Sequence, residues 1–290
     1  MKKNIYILPF DHRSSFIKDI LKIKGEPTAS DLKLIKDLKK IIFEGFLLAS
    51  QDFNKKDLAI LVDEKFGSDI IKQAHQKNIT LCIPVEKSGQ SFAFEYGKNF
   101  GKHIIKQNPD YVKALLRYDP IPQNTALNKF QLKNLNELAS FCKKYKYKLL
   151  IELLVPLSRK ELTGSTIEQD KKRAQKTVLA IQEIQTIVSP AIWKLEGMRR
   201  KDWPMIIKTI KPNSKIVVLG RGESKEQVKQ WLSDAAPYPS IIGFAIGRTI
   251  FKEALEIYLK KDISRQEAAL WIAVEFSFFI NFWQKKRKNN

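Results

Sequence analysis

The chain has 290 residues, 43% of them hydrophobic, and a formal net charge of +21; that is enough for one large core, such as an α/β barrel of ~250 residues. No basic stretch followed by an apolar run of signal-peptide length opens the chain, and the most apolar region, 268–282, is broken by Glu275 and Asn281, so neither a secretory signal nor a bilayer span is expected. Cys82 and Cys142 have no metal-ligand spacing and are too few for a disulfide framework, so the expected setting is a reducing cytoplasm.

Residues 5–10 form an apolar run, read as a first strand, which ends in Asp11, His12 and Arg13. Leu34, Ile35, Leu38, Ile41 and Ile42 recur at helical spacing and predict a helix over 31–49, with Ser30 as its N-cap. A second strand over 58–62 runs into Asp63, Glu64 and Lys65, then a short helix over 68–76. The third strand, 80–85, ends in Glu86 and Lys87 and precedes a helix over 96–106. The fourth strand, 111–117, carries Lys113 and Arg117 on one face, and a helix over 128–144 follows. The fifth strand, 148–155, holds Glu152 and is closed by Pro156; a long helix covers 168–187. The sixth, 191–197, has Lys194 and Glu196 on one face and ends at Gly197, before a helix over 202–209. The seventh, 215–219, is followed by Gly220, Arg221 and Gly222 and a helix over 225–235. The eighth, 241–246, is followed by Gly247 and Arg248, then terminal helices over 250–259 and 265–283.

Strict alternation of apolar strands and helices argues for a parallel sheet, and eight such units argue for closure. The expectation is a single (β/α)8 TIM barrel over 1–290 with an extra C-terminal helix, since no Pro/Gly/Ser linker divides the chain. Trp271, Phe276, Phe278, Phe279 and Trp283 on that last helix are read as core or as a homo-oligomer contact. The positive charge raises a polyanion partner, but only ten of the 52 basic residues are arginine. Nucleic-acid readers lean on arginine forks, so the expectation is a solvated lysine surface drawn toward acidic metabolites, without nucleic acid or membrane as a partner.

Catalytic groups of such barrels lie at the C-terminal ends of the strands. Desolvation penalises an ammonium inside an apolar strand, and a neutral amine attacks carbonyls. Lys194 is therefore the first candidate for a Schiff-base residue. Lys113, Glu152 and Lys194 on consecutive strands should meet inside the barrel, because an unpartnered buried charge is costly. A second lysine beside Lys194 would favour the free amine, and a carboxylate between them could move protons. The alternative is an internal salt-bridge network that only fills the barrel. Loops after strands seven and eight commonly hold a phosphate in this fold, so Gly220, Arg221, Gly222, Gly247 and Arg248 are candidate phosphate ligands, with glycine admitting backbone N–H groups and arginine adding a forked cation.

Phe10-Asp11-His12-Arg13, Val85-Glu86-Lys87-Ser88-Gly89, Val112-Lys113, Glu152-Leu153-Leu154-Val155-Pro156, Trp193-Lys194-Leu195-Glu196-Gly197, Leu219-Gly220-Arg221-Gly222 and Gly243-Phe244-Ala245-Ile246-Gly247-Arg248-Thr249 together resemble the aldolase-like domain often fused behind a sugar kinase in myo-inositol catabolism. That domain is linked to 2-deoxy-5-keto-gluconate 6-phosphate aldolase activity. The resemblance runs through nearly the whole chain, with the motifs in the family's order, although the kinase half has no counterpart here. More distantly the chain is similar to class I tagatose-bisphosphate aldolases, in which the Schiff-base lysine lies on strand six, a second lysine on strand four and a glutamate on strand five. Lys194, Lys113 and Glu152 match those positions, and Asp11 with Arg13 and Glu86 with Lys87 match the pairs after strands one and three.

The resemblance implies a class I aldolase that needs no metal or other cofactor. Lys194, Glu152, Lys113 and Asp11 would be catalytic; Arg13, Glu86, Lys87, Arg117, Gly220, Arg221, Gly222, Gly247 and Arg248 would bind a phosphorylated sugar. Two other readings stay open. One is a metal-dependent barrel lyase or hydrolase using Asp11, His12, Asp63, Glu64 and Glu86, although two of the three histidines, His75 and His103, fall in predicted helices. The other is a non-catalytic sugar-phosphate-binding barrel with a polyanion-binding surface.

Overall fold

On β4 (Tyr111–Arg117) the side chains alternate: Val112, Ala114 and Leu116 are buried outward against helices, while Tyr111, Lys113, Leu115 and Arg117 face the opposite way. The same two-sided pattern recurs on β1 (Ile5–Pro9), β2 (Leu58–Leu61), β3 (Thr80–Pro84), β5 (Lys148–Leu154), β6 (Ile192–Glu196), β7 (Lys215–Leu219) and β8 (Ile241–Ala245). A computed structural model describes residues 4–121 and 124–288. In it these strands pair in parallel in chain order, and β8 returns to β1 to close the barrel. Gly243 lies at that seam with φ +151°, and a Cβ there would stand 1.9 Å from the Ile5 carbonyl oxygen, so closure requires glycine.

The helices are α1 (Ser14–Asp19), α2 (Ala29–Ala49), α3 (Glu64–Gln76), α4 (Phe100–Gln107), α5 (Thr125–Tyr145), α6 (Thr166–Gln185), α7 (Trp203–Thr209), α8 (Lys225–Ala235), α9 (Arg248–Leu259) and α10 (Arg265–Lys288). The TIM-barrel expectation holds, with local differences. No helix was expected at α1, whose Phe16 is buried against Phe251, ring centroids 6.3 Å apart. Thr28, not Ser30, caps α2, because the Asp31 carboxylate accepts the Thr28 N–H at 2.8 Å while Thr28 Oγ1 accepts from Asp31 N. The third helix begins at Glu64 rather than 68, because the Asp63 carboxylate accepts the Phe66 N–H at 2.9 Å. A 3-10 turn, Gly97–Asn99, stands where the start of the fourth helix was expected.

The aromatics of α10 largely complete this chain's own core. Phe276, Phe279 and Trp283 are fully buried, and Phe276 packs 5.9 Å from Phe46 of α2 and 6.2 Å from Phe244 of β8. Trp271 and Phe278 are half-buried. Among the described residues no helix is long and apolar enough to cross a membrane.

Candidate active site

The lower barrel interior is apolar: Tyr111, Leu150 and Ile192 pack there with Ile5, Ile7 and Val217. Two residues further along β4, β5 and β6 the interior positions become Lys113, Glu152 and Lys194. Pairing register sets Glu152 directly beside Lys194. An apolar floor thus lifts a charged layer to the C-terminal ends of the strands, where it lines a cavity of about 420 Å³. Asp11, Arg13, Glu86, Lys87, Lys113, Arg117, Glu152, Lys194, Arg221, Gly222, Gly247 and Arg248 all border this cavity; of the expected site residues Gly220 does not.

Glu152 bridges the two lysines. Its Oε1 is 3.0 Å from Lys194 Nζ and its Oε2 2.9 Å from Lys113 Nζ. Lys113 also meets Asp11 Oδ2 at 3.0 Å and Glu86 Oε1 at 2.6 Å, so one buried ammonium serves three carboxylates. Burial alone would lower the Lys113 pKa; Asp11, Glu152 and Glu86 overcome this and hold it well above its ordinary value. Burial would raise Glu152, but Lys113 and then Lys194 pull it down to about 2. Asp11 likewise ends below the usual carboxylate range, with burial opposed by Lys113, His12 and Lys194. Glu86 goes the other way, because its burial outweighs Lys113.

Above this layer sit the arginines. Arg13 is held by Glu95 at 3.0 Å and by the Glu86 carbonyl. Arg221 pairs with the buried Glu196, whose pKa burial raises despite that arginine. Gly247 is the N-cap of α9, so Arg248 opens that helix. Arg248 donates to Asp19 Oδ2 at 2.8 Å and to the Arg221 carbonyl at 2.6 Å. Its guanidinium lies against Gly222: a Cβ at that position would fall 2.8 Å from Cζ, and φ there is +83°. The turn after β7 and the start of α9 thereby form one cationic rim, suited to a phosphate.

Some candidates are not brought into the cavity. Asp63 pairs with the buried Lys39 of α2, which lies over the Phe16 and Phe66 rings at 5.6 and 5.3 Å. Glu64 pairs with His103 at 2.9 Å, and His75 Nε2 contacts the Gln107 carbonyl at 2.8 Å. Sequence reasoning missed Asp19 and Glu95 as partners of the site arginines, and Ser14 and Ser88, whose hydroxyls meet 3.1 Å apart at the mouth. It weighed His12 only as a metal ligand, yet His12 lines the cavity too.

The fold and the cavity define a class: a TIM barrel with a buried lysine–carboxylate cluster at the C-terminal mouth of its strands. The chain belongs to the DUF2090 family, described as "Uncharacterized protein conserved in bacteria", which matches residues 1–287. A search of curated protein sequences finds no match. Among solved structures, Cgl0159 from Corynebacterium glutamicum superposes with TM-score 0.61 at 12% identity, covering 94% of this chain and 85% of that one. The fructose-bisphosphate aldolase of Slackia heliotrinireducens gives TM-score 0.57 at 12% identity, covering 94% and 86%. An archaeal fructose-1,6-bisphosphate aldolase, with its catalytic lysine bound to the carbinolamine intermediate, gives 0.56 at 12%, covering 95% and 94%. At such identity the likeness is one of fold.

Proposed function

We propose that this barrel is a class I aldolase that cleaves a phosphorylated keto sugar or keto sugar acid. The observation that carries the reading is the Lys194–Glu152–Lys113 bridge, buried at the mouth of the cavity. Lys194 Nζ attacks the substrate ketone; Glu152, 3.0 Å away, shuttles protons as the carbinolamine loses water to become an iminium. Lys113 donates to Asp11 and Glu86 and forms an ion pair with Glu152, so it fixes the carboxylates in place. Asp11 orients a substrate hydroxyl. Arg221, Arg248 and the backbone N–H groups of Gly222 and Gly247 hold the phosphate, with Arg13, Lys87 and Arg117 around the rest of the mouth. The solved aldolases with a Schiff-base lysine on the same fold support this chemistry.

The resemblance to the myo-inositol family favours 2-deoxy-5-keto-gluconate 6-phosphate as substrate, giving dihydroxyacetone phosphate and malonate semialdehyde. A metal-dependent lyase fits less well, because Asp11, Glu86 and Glu152 gather around an ammonium and Asp63 and Glu64 are turned to α3 and its partners. Borohydride reduction in the presence of dihydroxyacetone phosphate, followed by peptide mass mapping, tests the proposal. A reduced adduct on Lys194 that is lost in Lys194→Met supports it; no adduct, or full activity in that variant, ends it.

A further inference from the structure

Cleavage of the carbon–carbon bond requires a base for the departing hydroxyl proton, and the acids of the cavity are poorly placed to serve. Glu152 is clamped between two lysines, and Asp11 is held by Lys113. Both Glu86 oxygens are engaged, Oε1 by Lys113 and Oε2 by the Leu115 N–H at 3.3 Å. His12 differs. It borders the same cavity, its ring packs edge-on against Phe251 of α9 at 6.3 Å, and its buried Nδ1 has no hydrogen-bond partner among the described residues. A buried ring nitrogen left unpaired works against folding, so it calls for a functional account.

We propose that His12 is a catalytic residue: its imidazole takes the hydroxyl proton as the carbon–carbon bond breaks and returns it to the enamine carbon. This rests on the Lys194 Schiff-base reading. In the step, the O–H electron pair becomes the second bond of the aldehyde carbonyl. The carbon–carbon pair moves into the enamine double bond, and the iminium nitrogen recovers its lone pair. The proton passes to the His12 ring, so one positive charge moves from iminium to imidazolium. Protonation of the enamine carbon by that imidazolium restores the iminium, and water then frees Lys194 and the ketone. The charged groups that act on the ring are Asp11, Arg248, Lys194 and Glu152. Burial, the strongest influence, holds His12 down at about 4, so at neutral pH the ring is an unprotonated acceptor.

The test uses the full chain with dihydroxyacetone phosphate as the sole ligand and two readouts. Borohydride trapping reports the iminium; loss of the hydroxymethyl-carbon proton to D2O, followed by NMR, reports the base. In His12→Gln, trapping on Lys194 should persist while exchange falls about 10²-fold or more. In His12→Ala, added imidazole should restore exchange, with efficiency tracking the basicity of substituted imidazoles. Trapping with unchanged exchange in His12→Gln, or no rescue of a folded His12→Ala, overturns the role of His12 alone. Absence of trapping in the wild-type chain overturns the Schiff-base reading, and the role of His12 with it.

Discussion

Lys113 is the residue on which the cavity's charge balance turns. Replacing it by methionine strands Asp11, Glu86 and Glu152 in a buried pocket, and losing one member of a buried ion cluster costs about 3–5 kcal/mol. Urea denaturation of Lys113→Met at neutral pH should show a loss of that order, shrinking in acid as the carboxylates take up protons. The wild-type chain should itself lose stability in acid. Glu152 titrates near 2 when folded against an ordinary 4.5, so its contribution is complete above 4.5 and is lost as pH falls toward 2. His12, lowered from 6.5 to about 4, contributes fully above 6.5 and loses that contribution as pH falls through 4. Glu86, raised by burial, acts in the opposite sense. Urea midpoints should therefore rise from about pH 3 to about pH 7; a flat or falling series would contradict the charge assignments. Lys113 and Glu152 were legible because a charge inside an apolar strand stands out, and Asp11 and Glu86 because they follow strand ends. Asp19 and Glu95 were not, because they sit on a helix and a loop whose approach to Arg248 and Arg13 no local pattern encodes.

At the scale of elements, the turn after β7 and the start of α9 act as one unit. Gly222→Ala would force a Cβ into the Arg248 guanidinium at a left-handed backbone position. Inorganic phosphate binding, read by titration calorimetry, should weaken about tenfold, and the thermal midpoint should fall because alanine is strained at this φ. On the long C-terminal helix Phe276 is a core residue: Phe276→Ala would open a cavity between α2, β8 and α10 and should cost about 3–5 kcal/mol in urea denaturation. The strands were read closely, because four to seven apolar residues between turns leave little ambiguity. Helix starts were read less well. Thr28 and Asp63 cap through side-chain bonds that look, in sequence, like ordinary loop residues, and the six residues of α1 are too few to show a period.

For the whole molecule, eight alternations of strand and helix made the barrel readable, and barrel geometry then placed nearly every candidate at one mouth. Packing of the outer shell was less readable, since the core role of Phe276 on α10 shows only once Phe46 of α2 is seen against it. The surplus of positive charge over the molecule should draw anionic substrates, so the Michaelis constant for a phosphorylated substrate should rise with ionic strength. Prior treatment with a chelator should leave the rate unchanged, because the proposed chemistry runs through an amine. The most direct measurement is a crystal structure after soaking with dihydroxyacetone phosphate. The account predicts continuous density from Lys194 Nζ to the ketone carbon, with the phosphate between Arg221 and Arg248. Density joined to Lys113, or a ligand bound away from both lysines, would contradict it.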